Sequence, residues 1–122
     1  MTKSEMLQRT KRFALRVIKA VQALPKRDDV AAVLGRQLLR SGTSVGANYR
    51  ATCRAKSTAD FINKHKIVEE ECDEALYWLE LLVKSGSMPA NRLGALIKEA
   101  DELLSITVAA LRTTRANRVT QS

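Results

Sequence analysis

VAAVLGRQLLRSGTSVGANYRATCRA, residues 30–55, is the stretch on which the fold turns. Its middle, Ser41 to Gly46, is poor helix material, since glycine costs about 1 kcal/mol relative to alanine inside a helix. Yet the apolar positions Leu34, Leu38 and Val45 keep helical phase straight across it. On the opposite side Arg36, Arg40, Arg50 and Arg54 fall within an arc of roughly 80° at about 100° per residue. Two phases that survive the same weak stretch argue for one helix, kinked at most, with small residues where a neighbouring helix comes close. A break into two helices is the alternative.

Outward from this segment, Pro25 with residues 26–29 and the run Ser85-Gly86-Ser87-Met88-Pro89 are strong turn signals, and Ala55-Lys56-Ser57 is a subtler corner. Every stretch between them has helical periodicity and none sustains strand alternation. The first helix is expected over about 4–24, with the apolar face Met6, Phe13, Ala14, Val17, Val21 and Leu24, and Pro25 as its stop. Asp28 and Asp29 open the second, 28–55, where carboxylates suit the positive end of the helix dipole. Ser57-Thr58-Ala59-Asp60 has the form of a capping box for the third, 57–84, and Gly86 supplies a left-handed stop. Its core stripe reads Phe61, His65, Val68, Cys72, Ala75, Leu76, Leu79 and Val83. The fourth, 89–114, starts at Pro89, a favoured first helical residue, and carries the seam Leu93, Leu96, Ile97, Ala100, Leu104, Val108 and Leu111. Residues 115–122 read as a polar, frayed tail. Four such helices with short connections predict an all-α, antiparallel up-down four-helix bundle, a single domain over residues 1–122.

The chain has 122 residues and a formal net charge of +8. It is long enough to bury a core without metal or disulfide staples, and its charge favours anionic partners. Cys53 and Cys72 stand far apart with no CxxC pair, the first residues lack a signal-peptide core, and no apolar run nears the roughly 18 residues of a membrane helix. A soluble cytoplasmic protein is the expectation. Arg9, Arg12, Arg16 and Lys19 form a second basic row on the first helix, while acids gather in Glu69 to Glu74, at Glu80 and in Glu99 to Glu102. Arginine is always ionised and grips phosphate with paired hydrogen bonds. The expected partner is therefore RNA or DNA backbone, held by Arg36, Arg40, Arg50 and Arg54 with help from the first-helix row. Aromatics are scarce and absent from both rows, so base stacking is not the expected mode. Binding should show little sequence preference and weaken steeply with salt. The alternative is an interaction scaffold whose basic face docks an acidic protein.

A second stripe on the third helix, Ile67, Glu71, Glu74, Trp78 and Leu81, follows 4-3-4-3 spacing roughly 120° from the core stripe. Such a row points to another protein surface, with the two glutamates meeting basic residues of a neighbouring subunit, and so to a homo-oligomer. Ser41, Asn48 and Thr52 share the inward side of the second helix, where Asn48 is expected to bond across to another helix, Glu69 being a candidate partner. His65, Glu69 and Cys72 are spaced to reach one metal ion, but bundle metal centres need Glu-x-x-His on two helices, Ile62 stands where that glutamate would be, and there is no second histidine. Neither metal nor cofactor is expected, and His65 reads as a core residue with a satisfied ring. Neither cysteine has a dedicated histidine, and Ser41 to Gly46 lacks the lysine and preceding strand of a phosphate loop, so no catalytic residues are assigned and an enzyme is not expected.

The run Leu38-Leu39-Arg40-Ser41-Gly42-Thr43-Ser44-Val45-Gly46-Ala47-Asn48-Tyr49-Arg50 resembles the signature of the four-helix bundle proteins first noticed in intervening sequences of bacterial 23S ribosomal RNA genes. Asp60-Phe61, Lys64 to Lys66, and Glu69 through Glu74 leading into Tyr77-Trp78-Leu79 resemble the second half of that signature. The resemblance covers nearly the whole bundle. It implies an up-down bundle that assembles as a pentameric barrel, without catalytic activity. It also implies kinship with the accessory protein of diversity-generating retroelements, a basic barrel that binds nucleic acid and a reverse transcriptase. Ala51 departs from the family pattern, where glutamate often follows the arginine, and whatever that acid does in relatives is missing here.

Overall fold

The computed structural model describes the backbone of residues 1–121 and the side chains of residues 1–118. Four α-helices follow one another, α1 Lys3–Gln22, α2 Asp29–Thr52, α3 Thr58–Lys84 and α4 Ala90–Gln121, joined by residues 23–28, 53–57 and 85–89. Each packs on the next in sequence, and α1 closes on α4 through the thinnest seam. Tyr49 near the end of α2 lies beside His65 near the start of α3, and Ser87 after α3 donates to the Asp28 carboxylate before α2 at 3.3 Å. The helices therefore alternate in direction. No helix among the described residues is long and apolar enough to cross a membrane.

The ends follow from local chemistry. Thr2, Asp28 and Ser57 each accept a hydrogen bond from a backbone N–H three residues on, at 3.1, 3.0 and 3.0 Å. Asp60 answers Ser57 as the capping box requires, but its carboxylate takes the N–H of Lys56, one residue before the cap. That bond and the Lys64 ammonium hold Asp60 below its ordinary pKa. Gly86 adopts φ 83°, in the left-handed region glycine enters without strain, and terminates α3. α1 stops at Gln22, two residues short of the expected end, and α4 starts at Ala90, with Pro89 just before it. Two limits differ by more. α2 stops at Thr52 rather than 55, and α4 continues through residues 115–121 instead of fraying after 114.

Helix α2 runs unbroken through Ser41 to Gly46. Its weak residues are where α1 comes close: a Cβ on Gly35 would stand 2.8 Å from Leu24, one on Gly42 2.8 Å from Val17, and one on Gly46 3.3 Å from Thr10. Close approach to α1 thus offsets the cost of glycine in the helix. The core layers include Phe13, Val17, Leu38, Val45, Val68, Leu79, Leu93 and Leu111. In α4 the buried phase is Leu93, Leu96, Ala100, Leu103, Thr107 and Leu111, so Leu103 and Thr107 occupy the places expected of Leu104 and Val108. Leu82 and Thr10 are likewise buried although neither was assigned to the core.

Candidate nucleic-acid interface

Because α2 keeps its phase, Arg36 and Arg50 remain on its outer side, while Arg54 lies in the turn just past its end; all three are exposed, and among the described residues none is in an ion pair. Across the glycine seam, Arg12 and Lys19 are exposed on α1. A shallow groove of about 200 Å³ runs between the two helices, lined by Lys11 and Thr10 from α1 and by Thr43, Gly46, Ala47 and Arg50 from α2. Lys11 is the cation missing from the sequence reading. It lies outside the expected row of α1, and its pairing with Arg50 is legible only once α2 is known to flank that side.

Of the other expected cations, Arg16 is half-buried and in none of the ion pairs among the described residues, while Arg9 and Arg40 are engaged within the chain. Arg9 turns toward α4, where Nε and Nη2 donate to the two carboxylate oxygens of Glu99 at 2.7 Å and Nη2 also reaches Glu102. That bidentate grip raises the Arg9 pKa and lowers that of Glu99, with Arg16 adding to the positive field on Glu99. Arg40, at the other margin, pairs with Glu74 and lies 3.5 Å from Glu71 on α3. The two glutamates placed at the oligomer face therefore meet a cation of their own chain. Trp78 of the same stripe is half-buried against the core and donates from Nε1 to Glu74 at 3.3 Å. Leu81 is also partly covered, while Ile67 stays 42% exposed.

The inward polar residues of α2 do not bond across to another helix. Ser41 Oγ donates to the Gln37 carbonyl, Asn48 Nδ2 to that of Ser44 and Thr52 Oγ1 to that of Asn48. Each reaches back one turn, which satisfies the group with a carbonyl already at hand. Glu69 is half-buried and takes no bond from Asn48. His65 is buried, stacked on Phe61 with ring centroids 5.1 Å apart, and neither ring nitrogen has a hydrogen-bond partner. The satisfied ring expected from the sequence is thus absent, and burial lowers the His65 pKa. Among the described residues no cluster of three or more His, Cys, Asp or Glu side chains is placed to hold a metal ion.

The family model described as 23S rRNA-intervening sequence protein matches residues 2–109. Among solved structures, one from Bacteroides thetaiotaomicron, described as a protein with unknown function from the S23 ribosomal protein family, is 31% identical. It aligns with a TM-score of 0.83 over 92% of this chain and 99% of its own. No curated protein gives a significant match.

Proposed function

The chain belongs to the 23S rRNA-intervening sequence protein family, and from that premise we propose that it is a non-enzymatic bundle whose α1–α2 outer face binds the phosphate backbone of RNA or DNA. One observation carries the reading: the ion pairs divide the cations into two groups. Arg9 and Arg40, at the margins, are held by acids of α4 and α3. Lys11, Arg12, Lys19, Arg36, Arg50 and Arg54 between them are exposed and take part in none of the ion pairs among the described residues. These cations share α1 and α2 with exposed Leu15, Val33 and Leu39 and with the exposed acids Glu5 and Asp29, but unpaired cations outnumber them, and such an excess suits a polyanion read by charge and not by sequence. The groove between Lys11 and Arg50 offers phosphate two cations from different helices.

Self-association belongs to the same proposal. With Glu71 and Glu74 engaged by Arg40, contact between copies would rest on the apolar remainder of the α3 stripe around Ile67, and sedimentation equilibrium at micromolar concentration would detect it. The backbone-binding reading is tested by Arg50→Glu with Arg54→Glu. Affinity for a mixed oligonucleotide pool at low salt should fall about a hundredfold, evenly across sequences. Unchanged affinity would overturn it.

A further inference from the structure

A cavity of about 580 Å³ opens at the end of the bundle where α1 and α3 begin and α2 ends, with α4 passing alongside. Its size is that of a small-molecule site, roughly 300–1,000 Å³. Part of its lining is aromatic. Phe61 and His65 stack with 12° between their planes, and Tyr49 meets the imidazole edge-on at 6.1 Å. The lining also includes two cations, Lys3 and Lys56, next to the first turns of α1 and α3, whose positive dipole ends are partly offset by the negative C-terminal end of α2 at Thr52. No lining residue is acidic.

His65 is an unpaired polar ring in this wall. It is 3% exposed, and both of its ring nitrogens are buried without a hydrogen-bond partner. Buried polar groups in folded proteins are nearly always paired, and an apolar ring would stack on Phe61 without leaving two nitrogens unsatisfied. His65 lines the cavity while both of its nitrogens are closed to solvent, so it serves the wall as an aromatic ring and not as a hydrogen-bonding group.

We propose that this cavity binds a small aromatic anion, its ring against Phe61, His65 and Tyr49, and its carboxylate or phosphate near Lys3 and Lys56. The site is separate from the α1–α2 outer face, since neither Lys11 nor Arg50 belongs to its lining, so either proposal can fail without the other. The ligand chemistry has two sources, a free aromatic acid and a nucleoside monophosphate, and two probes distinguish them. Indole-3-carboxylate supplies a ring with one N–H donor and a charge; uridine 5′-monophosphate adds a base edge with carbonyl acceptors.

The chain has a single histidine, so the imidazole C–H resonances of His65 are unambiguous in an NMR titration. Saturable shifts with a dissociation constant below about 1 mM are expected for at least one probe, and the tighter probe identifies the source. Lys3→Glu with Lys56→Glu should weaken binding about tenfold or more through loss of charge-assisted contacts. The carboxylate at position 56 would face Asp60, so Lys3→Gln with Lys56→Gln, which removes the charges without that repulsion, should weaken binding in the same direction with Tm held. Indole-3-carboxamide, uncharged, should bind about tenfold more weakly than the acid. Cys53 lines the cavity and provides a second readout: Cys72 is buried with its thiol pushed up to about 12, so alkylation reports Cys53 and should slow when a probe is bound. His65 resonances that stay fixed to about 10 mM of both probes in folded protein, or equal binding of acid and amide, would overturn the proposal.

Discussion

Gly42 of α2 lies directly against Val17 of α1: a Cβ on the glycine would stand 2.8 Å from both valine methyl carbons. Valine is stiff about χ1, so those methyls cannot swing aside as the end of a long side chain could. Gly35 against Leu24 and Gly46 against Thr10 extend the same contact along the seam. Gly42→Ala should therefore destabilise by about 1–2 kcal/mol, the overpacking outweighing its gain in helix propensity. Gly94→Ala in α4, with nothing within 4 Å of the added carbon, should instead stabilise by roughly 1 kcal/mol. Urea unfolding midpoints check both, and a stabilised Gly42→Ala would mean that the two helices part readily.

The arginines fall into two classes that binding data should separate. If Arg50 contacts phosphate, Arg50→Ala should lower the slope of log K against log salt by about 1. Arg40→Ala and Arg9→Ala, which remove cations already paired with carboxylates, should leave that slope unchanged. Arg40 is 52% exposed at its side chain, so its loss should cost at most about 1 kcal/mol of stability. Fluorescence anisotropy over a salt series gives the slopes. Equal losses for all three would show that the ion pairs open to meet the ligand.

Arg9 and Glu99 carry a predictable acid sensitivity, because the guanidinium holds the carboxyl below its ordinary value of 4.5, with Arg16 and Glu102 the other charges facing it. A carboxylate whose pKa is lower folded than unfolded binds fewer protons in the native state. Its stabilisation is complete above the unfolded pKa and is lost as pH falls through the folded one. At neutral pH Glu99→Gln should cost about 1–2 kcal/mol through the weakened charge-assisted bonds. The gap in Tm between the parent chain and this variant should close as pH falls below about 4.5. A gap unchanged down to pH 3 would remove Glu99 as the titrating group.

The bundle was legible because propensity, caps and phase agree: Ser57 with Asp60 and Gly86 mark real ends, Pro89 falls one residue before α4, and Leu38 with Val45 carries the phase through the glycines. The misreadings share a cause. Thr107 Oγ1 donates to the Leu103 carbonyl at 2.7 Å and Thr10 Oγ1 to that of Met6 at 2.9 Å, so these hydroxyls are satisfied inside the core. Sequence periodicity counts threonine as polar, which shifted the α4 seam toward Leu104 and Val108. The same back-bonding in Ser41, Asn48 and Thr52 replaced the cross-helix network expected of them. Arg40 shows a different limit. Its angle on α2 is that of an outward residue, but only the position of α3 tells that Glu71 and Glu74 reach it.

His65 offers the last test, because its imidazole is buried unpaired and neutral form is favoured there. Burial holds its pKa below the ordinary 6.5, so the unfolded chain takes up a proton more readily than the native one. The sign follows: stability is full above about pH 6.5 and declines as pH falls toward the lowered folded value. Phenylalanine at this position keeps the stack on Phe61, has no nitrogens to leave unpaired and can grow into the adjoining cavity. His65→Phe should therefore raise stability by about 1 kcal/mol at pH 8, with a larger gain at pH 5. Thermal melts at the two values decide it. A variant less stable than the parent at both would mean that the imidazole nitrogens have a partner in solution.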